Sequence, residues 1–437
     1  MKLSNRRNLF ITLAFTLAIG AAGCGGPEAG MKTKETEGPV NLKFAWWGNA
    51  QRKEQTLKVI ELFQKKYPNI KIQPEDYSGT TALTTQLAMN VADQAIPDLI
   101  QMDYSFLNQY SDKKLIAPLD PFVKQGILNL NDVDPAYLDN GRRNDQLLGV
   151  TLGLNSPVYA YDPSIFEKAG VPVPKPEYTF DDLYNTAREL KAKIKDKDFY
   201  PMTGFPDFAY YLRGKGVSYY NKEGTALGYD NDQYFAEFVS MQKKWKEEGL
   251  IGTDGSNGNG NNDLLIVQGK AALFHTSSNL VSGISQSAKR PIKILPDPAV
   301  PSGQEAKNLK ASMLLAVSNF SDHKAEAAKF IDFFINDPET NDILLGERGV
   351  PISSKIRERL MGKIKETDKD QYQLVDYLKT HSKPIDPPAP GGSGVVNNLF
   401  KIYSEQVMSG MKTPESAAKE FRSEANKALN PLAQEDN

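Results

Sequence analysis

The sequence predicts an α/β fold, and three observations near its start carry that expectation. Val40 to Trp47 alternates, with Leu42, Phe44 and Trp46 on one face and Asn41 and Lys43 on the other, the period-2 pattern of a strand. From Arg52 to Tyr67 the period changes: Leu57, Ile60 and Phe63, with Leu62 alongside, form a helical stripe that Pro68 terminates. Ile70 to Gln73 reads as a second strand, Thr81 to Ala92 as a second helix and Asp98 to Met102 as a third strand. An order β-α-β-α-β implies parallel strands joined by crossover helices.

The pattern continues through the chain. Leu147 to Leu154 is an apolar run with two glycines, followed by Asn155-Ser156-Pro157, and Val158 to Tyr161 is another strand. Pro163, Pro172, Pro174 and Pro176 punctuate the next stretch. Thr179 and Asp182 have the spacing of a capping pair opening a helix that runs to Lys195. Asn231 to Gly249 is helical, packing through Tyr234, Phe235, Phe238, Met241 and Trp245. Lys310 to Val317 reads as a strand returning to the first lobe, and Ala325 to Ile335 as an amphipathic helix. Residues 386–394, DPPAPGGSG, form a hinge or binding loop, with helix from Val395 onward. The Gly/Asn segment 252–263 invites a calcium-loop reading, but the twelfth position counted from Asp254 is Leu265 rather than Glu. A surface loop is the expectation.

The first 24 residues bear on location. Lys2, Arg6 and Arg7 precede the uncharged apolar run Leu9 to Gly20, which is shorter than the roughly 20 residues a membrane-spanning helix needs. Small residues Ala21, Ala22 and Gly23 follow, then Cys24, the sole cysteine. This is the order of a secretory signal. It resembles a bacterial lipoprotein signal, with Ala21 where that pattern usually has Leu. The resemblance implies cleavage after residue 23, acylation (palmitate) of Cys24, and a flexible tether over 24–39. That would place the protein outside the cytoplasm, anchored to the outer face of the cytoplasmic membrane. Composition narrows the classes further. The 437 residues suit two or three domains, and 52 Lys+Arg against 54 Asp+Glu lack the basic balance of a nucleic-acid binder. One Cys excludes a disulfide framework, and three scattered His suggest no local metal motif. No cofactor is expected.

Several segments together resemble the family 1 extracellular solute-binding proteins of ABC importers, the carbohydrate-binding group related to maltose-binding protein. They are 44–72 (FAWWGNAQRKEQTLKVIELFQKKYPNIKI), 95–110, 115–120, 149–174 (GVTLGLNSPVYAYDPSIFEKAGVPVP), 178–183, 269–274 (GKAALF), 327–340 and 348–353 (RGVPIS). The resemblance implies a two-lobe periplasmic-binding-protein fold with an interlobe ligand cleft and a hinge. Lobe one would hold 40–150 and 290–345, and lobe two 154–285 and 350–437. It implies a monomeric receptor, not a catalyst, that delivers a sugar, an oligosaccharide by preference, to ABC transporter permease subunits.

A sugar presents weakly apolar C–H faces and a rim of hydroxyls, so its cleft needs aromatic plates and fixed polar groups beyond the carboxyl ends of strands. Candidates there are Trp46 and Trp47, at least one of them facing the cleft, with Asn49, and Arg52 in the first helical turn. Asp103 and Tyr104 follow the third strand, and Asn155 lies at the first crossing. The resemblance adds Phe205 and Asp207, in TGFPDFAYYL, which match a second-lobe segment where the family carries an aromatic stacker; Thr276, Ser277 and Asn279 come from HTSSN, where relatives often carry a Trp that this chain lacks. Asn397 completes the set. Several have bland readings too: Asp103 as a helix N-cap, Asn155 as a turn residue, Arg52 in solvent. The alternatives are a receptor for a peptide or polyamine, and a glycoside hydrolase using a pair such as Asp103 and Asp207. No nucleophile elbow or P-loop motif accompanies them.

Overall fold

The computed structural model describes residues 38–253, 264–301 and 303–430. The signal segment, Cys24, nearly all of the tether and most of the Gly/Asn loop lie outside the described residues. In chain order the strands are β1 (Val40–Trp47), β2 (Ile70–Tyr77), β3 (Leu99–Met102), the hairpin of β4 (Arg142–Arg143) and β5 (Gln146–Leu147), β6 (Val150–Thr151), β7 (Leu154–Asn155) and β8 (Pro157–Tyr161). They continue with β9 (Tyr200–Thr203), β10 (Ile251–Gly252), β11 (Ala271–Ser277), β12 (Lys293–Pro296), β13 (Lys310–Ala311) and β14 (Leu314–Val317).

Two five-stranded sheets organise these strands, ordered β2-β1-β3-β14-β6 and β10-β9-β11-β8-β12. In the first, β1, β2 and β3 run parallel, and β14 runs against both β3 and β6. In the second, β9, β10 and β11 run parallel, and β8 runs against both β11 and β12. β1 is interior and covered on both faces, so Ala45 is buried as well as Leu42, Phe44 and Trp46. The helix Ala50–Lys66 lays Val59, Ile60 and Phe63 against it. Phe63 meets Phe330 and Phe333 edge-on, at 5.0 and 5.2 Å, from the helix Lys324–Asn336. Each fully buried ring of this kind contributes about 1.5–3 kcal/mol. β2 extends to Tyr77, four residues past the expected end at Gln73. Pro74 does not break it because β2 lies at the edge of the sheet, where one face of the ladder needs no donor.

In the second lobe the helix Phe180–Lys193 opens on the capping box read from sequence: the Asp182 amide donates to Thr179 Oγ1 at 3.2 Å and the Thr179 amide to Asp182 Oδ2 at 2.9 Å. The two C-terminal helices, Ser393–Met408 and Pro414–Leu429, pack on the helix Gln233–Glu247. There Phe235 stacks on Phe421 at 5.1 Å, and Arg422 pairs with Asp232.

The chain passes between the sheets at one place. β6 leads through Gly153 into β7 and on to β8; β13 pairs antiparallel with β7 on the way back to β14; and Val350 bridges Leu154. The strands are packed tightly enough here that a Cβ at Gly153 would collide with the carbonyl oxygen of Arg348. The crossings place two boundaries differently from the sequence reading. β12 pairs with β8 in the second sheet, so 290–296 sits with the second lobe rather than the first, and the return comes only at Lys310. The helix Ser354–Leu360, assigned to the second lobe, packs on the first. Ser353 bridges Val133, the Ser354 amide donates to the Asp132 carbonyl at 2.9 Å, and Arg357 lies over the Tyr137 ring.

Beside the third crossing Arg348 is 4% exposed. Its Nε donates to Gln101 Oε1 at 3.0 Å, its Nη2 to Thr56 Oγ1 at 2.7 Å and its Nη1 to Glu347 Oε2 at 3.3 Å. Arg52 grips Glu347 from the other side, at 2.8 and 3.0 Å. Burial lowers the Arg348 pKa to about 9, Glu347 working against it, so the guanidinium is charged at neutral pH. Arg348→Met strips three hydrogen-bond partners and leaves a largely buried carboxylate with one cation. A loss of about 3–5 kcal/mol is expected in urea denaturation, against under 1 kcal/mol for the exposed pair partner variant Lys58→Met.

Candidate functional site

The register of the ladders fixes where a solute can sit. In the first sheet Met102, at the carboxyl end of β3, lies beside Leu314, which lies beside Thr151, so the crossings spring from the carboxyl-terminal edge of the parallel strands. In the second sheet Ser277 pairs with Pro157 and Pro296 with Val158, so the ends of β11 and β12 also lie at the crossings. The carboxyl edges of the two sheets therefore face one another across the hinge. Residues just after β1, β2 and β3 form one wall, and residues just after β9, β11 and β12 form the other.

On the first wall, Trp46 is 0% exposed, its ring 4.9 Å from Phe44. It is core, whereas Trp47 is half-buried at the strand end, packed against two of the hydrophobic clusters. Asn49 is exposed and caps the helix Ala50–Lys66, accepting from the Arg52 amide at 2.9 Å. Arg52 does not project free into the cleft: Glu347 holds it, and its Nη1 donates to the Trp47 carbonyl at 3.2 Å. Asp103 caps the turn that follows β3, accepting from the amide and hydroxyl of Ser105 at 2.9 and 2.6 Å. Tyr104 is 7% exposed and donates its hydroxyl to the Asp386 carbonyl at 2.9 Å; burial raises its pKa, with Asp386 adding. Sequence reasoning missed Tyr77, because the second strand was read only as far as Gln73. A shallow, open surface depression is lined by Tyr77, Ser78, Thr80, Thr81 and Thr85 of the first lobe.

On the second wall, Phe205 is packed among Phe180, Phe238 and Trp245, with centroids at 5.5, 5.9 and 5.1 Å. It is half-buried against that cluster. Asp207 caps the helix Phe208–Gly214 through one oxygen, which accepts from the Tyr210 amide at 2.7 Å. The residue reaches solvent, yet its carboxyl sits in a recess: burial raises its pKa, Asp297 and Asp386 add, and the Tyr210 amide and His275 oppose. His275 Nε2 lies 3.1 Å from Asp297 Oδ2, and Asp297 is 1% exposed. Burial works against charge on His275, but Asp297 and then Asp207 outweigh it and its pKa stands above its ordinary value. Tyr219 and Tyr220, stacked at 4.8 Å, are half-buried, and the Asp207 charge is among those acting on Tyr219. Neither was singled out from sequence; they lie in a loop whose only signal is the Asn221–Gly224 turn.

The remaining candidates divide. Thr276 is half-buried in β11, and the Ser277 hydroxyl donates to Oδ1 of the exposed Asn279 at 2.6 Å. Asn155 lies in β7 with a buried Oδ1 that has no partner among the described residues. Asn397 is exposed on the helix Ser393–Met408, which packs on the second lobe through Val396 and Phe400 rather than rising from either sheet edge. A separate cavity of about 90 Å³, lined by Leu87, Val91, Ile96, Tyr110 and Leu115, lies beneath first-lobe helices away from the opposed edges. Among the described residues no group of His, Cys, Asp and Glu could hold a metal ion, and no helix is long and apolar enough to cross a membrane.

Two α/β lobes, each built on a five-stranded sheet and linked by three crossings at the carboxyl edges of those sheets, have the architecture of a solute-binding protein. The chain belongs to the bacterial extracellular solute-binding protein family, whose model matches residues 48–340. A relative from Pyrococcus horikoshii, an uncharacterised ABC transporter extracellular-binding protein, is 25% identical over 276 residues, 55% of this chain and 59% of that protein. The match thus spans about three-fifths of the relative's length. Among solved structures, a family 1 extracellular solute-binding protein from Alicyclobacillus acidocaldarius has a TM-score of 0.78 at 25% identity, covering 91% of this chain and 100% of its own. A periplasmic oligogalacturonide binding protein from Yersinia enterocolitica has a TM-score of 0.74 at 22% identity, covering 90% and 99%. A Listeria monocytogenes ABC substrate-binding protein, solved with cycloalternan, has a TM-score of 0.71 at 18% identity, covering 90% and 99%. At their identities the last two show likeness of fold.

The His275–Asp297 pair gives a pH signature. A histidine whose folded pKa exceeds its unfolded value, about 6.5, contributes stability that is full below that pH and is lost as pH rises through the folded value. The melting temperature of the wild type should exceed that of His275→Gln most at about pH 6, and the gap should narrow toward about pH 8. A gap that is constant across that range would remove the charged-imidazole assignment.

Proposed function

We propose that this protein is the receptor of an ABC importer and that it binds a carbohydrate, an oligosaccharide in preference to a single sugar, and delivers it to the permease by hinge closure. What supports this reading is the presence of half-buried aromatic rings and polar side chains on both lobes near the carboxyl edges of the two sheets. Trp47 and Tyr77 stand on one wall; Tyr219, Tyr220, Asp207 and His275 on the other. Rings suit the C–H faces of a sugar, and the oxygen of Asp207 that is not committed to its helix cap can accept from a hydroxyl. The open depression lined by Tyr77, Thr80 and Thr81 supports a ligand longer than one ring. Likeness of fold to proteins described as binding oligogalacturonide or cycloalternan is consistent with this class.

The binding role is non-catalytic. Asp103 is held by Ser105 as a cap, and the oxygen that Asp207 keeps outside its own cap is read as recognising a hydroxyl rather than as half of a hydrolytic pair. Acylation of Cys24, anchorage at the outer face of the membrane and a monomeric state belong to the same proposal; they rest on the signal-like start of the sequence and on the receptor reading.

A thermal-shift screen over a glycan panel, with peptides and polyamines as comparison sets, tests the proposal. A sugar at a hundredfold its Kd should stabilise by about 2.7 kcal/mol and raise the melting temperature by several degrees, with no product released. With the best sugar, Asp207→Asn should weaken binding by about ten- to a hundredfold, the range for a hydrogen bond to a charged group. Shifts confined to peptides or polyamines would replace the carbohydrate reading, and turnover of the sugar would replace the receptor reading.

A further inference from the structure

The segment Lys383–Pro390 touches both lobes, and its two sets of contacts differ in kind. To the second lobe it is held by charge and by backbone. Arg213 Nη1 donates to Asp386 Oδ1 at 2.8 Å, and the same guanidinium is locked in place by its Nε, which donates to the Ala306 carbonyl at 2.9 Å. The Arg213 side chain is 8% exposed. The Lys383 amide donates to the Lys307 carbonyl at 2.9 Å, and Lys383 Nζ donates to Gln304 Oε1.

To the first lobe the segment is held only by neutral groups. The Tyr104 hydroxyl donates to the Asp386 carbonyl at 2.9 Å, Asn108 Nδ2 donates to the Pro388 carbonyl at 3.3 Å, and Ile385 packs on the cluster around Tyr104 and Leu107. Pro384, Pro387, Pro388 and Pro390 stiffen the segment, so little conformational entropy opposes its docking. It also lies by the solute walls: the Asp386 charge acts on Asp207, and Pro390 abuts Gly224 of the loop that carries Tyr219 and Tyr220.

The geometry points to a latch: residues 383–390 travel with the second lobe and fasten to Tyr104 and Asn108 of the first lobe when the lobes close. Charge-assisted bonds outlast neutral ones, so on opening the Arg213–Asp386 side holds and the Tyr104 and Asn108 bonds part. Tyr104 thus acts on closure through the latch and not as a stacking ring. The inference goes beyond the identity of the solute and does not depend on its being a sugar.

Small-angle scattering of the ligand-free protein provides the test, since it requires no ligand and so fails independently of the carbohydrate reading. Tyr104→Phe removes one hydroxyl and keeps the ring. It should lower the closed-to-open ratio by about two- to tenfold, the worth of one neutral hydrogen bond, and increase the radius of gyration. Tyr104→Phe with Asn108→Ala should increase it further, and an exposed-site control, Lys246→Ala, should leave it unchanged. Circular dichroism checks that each variant is folded; should the double variant not fold, the single hydroxyl deletion decides. Scattering curves for Tyr104→Phe that superimpose on the wild type would overturn the latch.

Discussion

The arrangement of the molecule turns on the buried guanidinium of Arg348. It reaches the carboxyl end of β3 through Gln101, the first helix through Thr56, and Glu347, which in turn holds Arg52 beside the end of β1. Its carbonyl accepts from Ser312 on the returning strand. One side chain and its own backbone thus tie the third crossing to the second and to the sheet edge from which all three depart. The β7–β13 ladder and the Leu154–Val350 bridge tie the crossings to one another, and this knot adds the tie from the third crossing to the sheet edge. The charge is tolerated away from water because every polar contact it makes is to a group that needs a partner there.

Much of the first lobe was legible because alternation and helical period change cleanly along 40–102, and the capping box at Thr179 was legible because its two partners are three residues apart. What was lost were features set by distant chain. Trp46 and Trp47 are adjacent and indistinguishable by type; only pairing with β2 and β3 and coverage by Phe330 decide which one is core. Tyr77 was missed because the second strand was read only to Gln73, whereas the edge strand runs on past Pro74. β12 was assigned to the wrong lobe because its pairing with β8 spans more than 130 residues of chain.

Asn49, Asp103 and Asp207 carry a related lesson. Asn49 and Asp103 were marked as possible solute contacts because they follow strands, and Asp207 because its segment resembles the family's, and each caps the helix or turn that begins there. In α/β folds these are the same place: the residue leaving a strand opens the next helix, and a side chain that can serve a sugar hydroxyl can also serve an orphan amide. Sequence position cannot separate the two uses. Asp207 differs from the other two in its recess and in the His275 and Asp297 charges around it, neither of which is local in sequence.

Pro74 on β2 has a bearing on how the protein behaves outside the cytoplasm. On β2 the Ile70 amide is taken by the Tyr67 carbonyl, the Ile72 amide by the Gln64 side chain, and Pro74 has no amide to offer. Three successive outward donors are thereby withdrawn from the rim of the sheet. A foreign strand, or a second copy of this one, finds no ladder to extend, and the molecule carries its own guard against edge-on aggregation in surroundings without cytoplasmic chaperones.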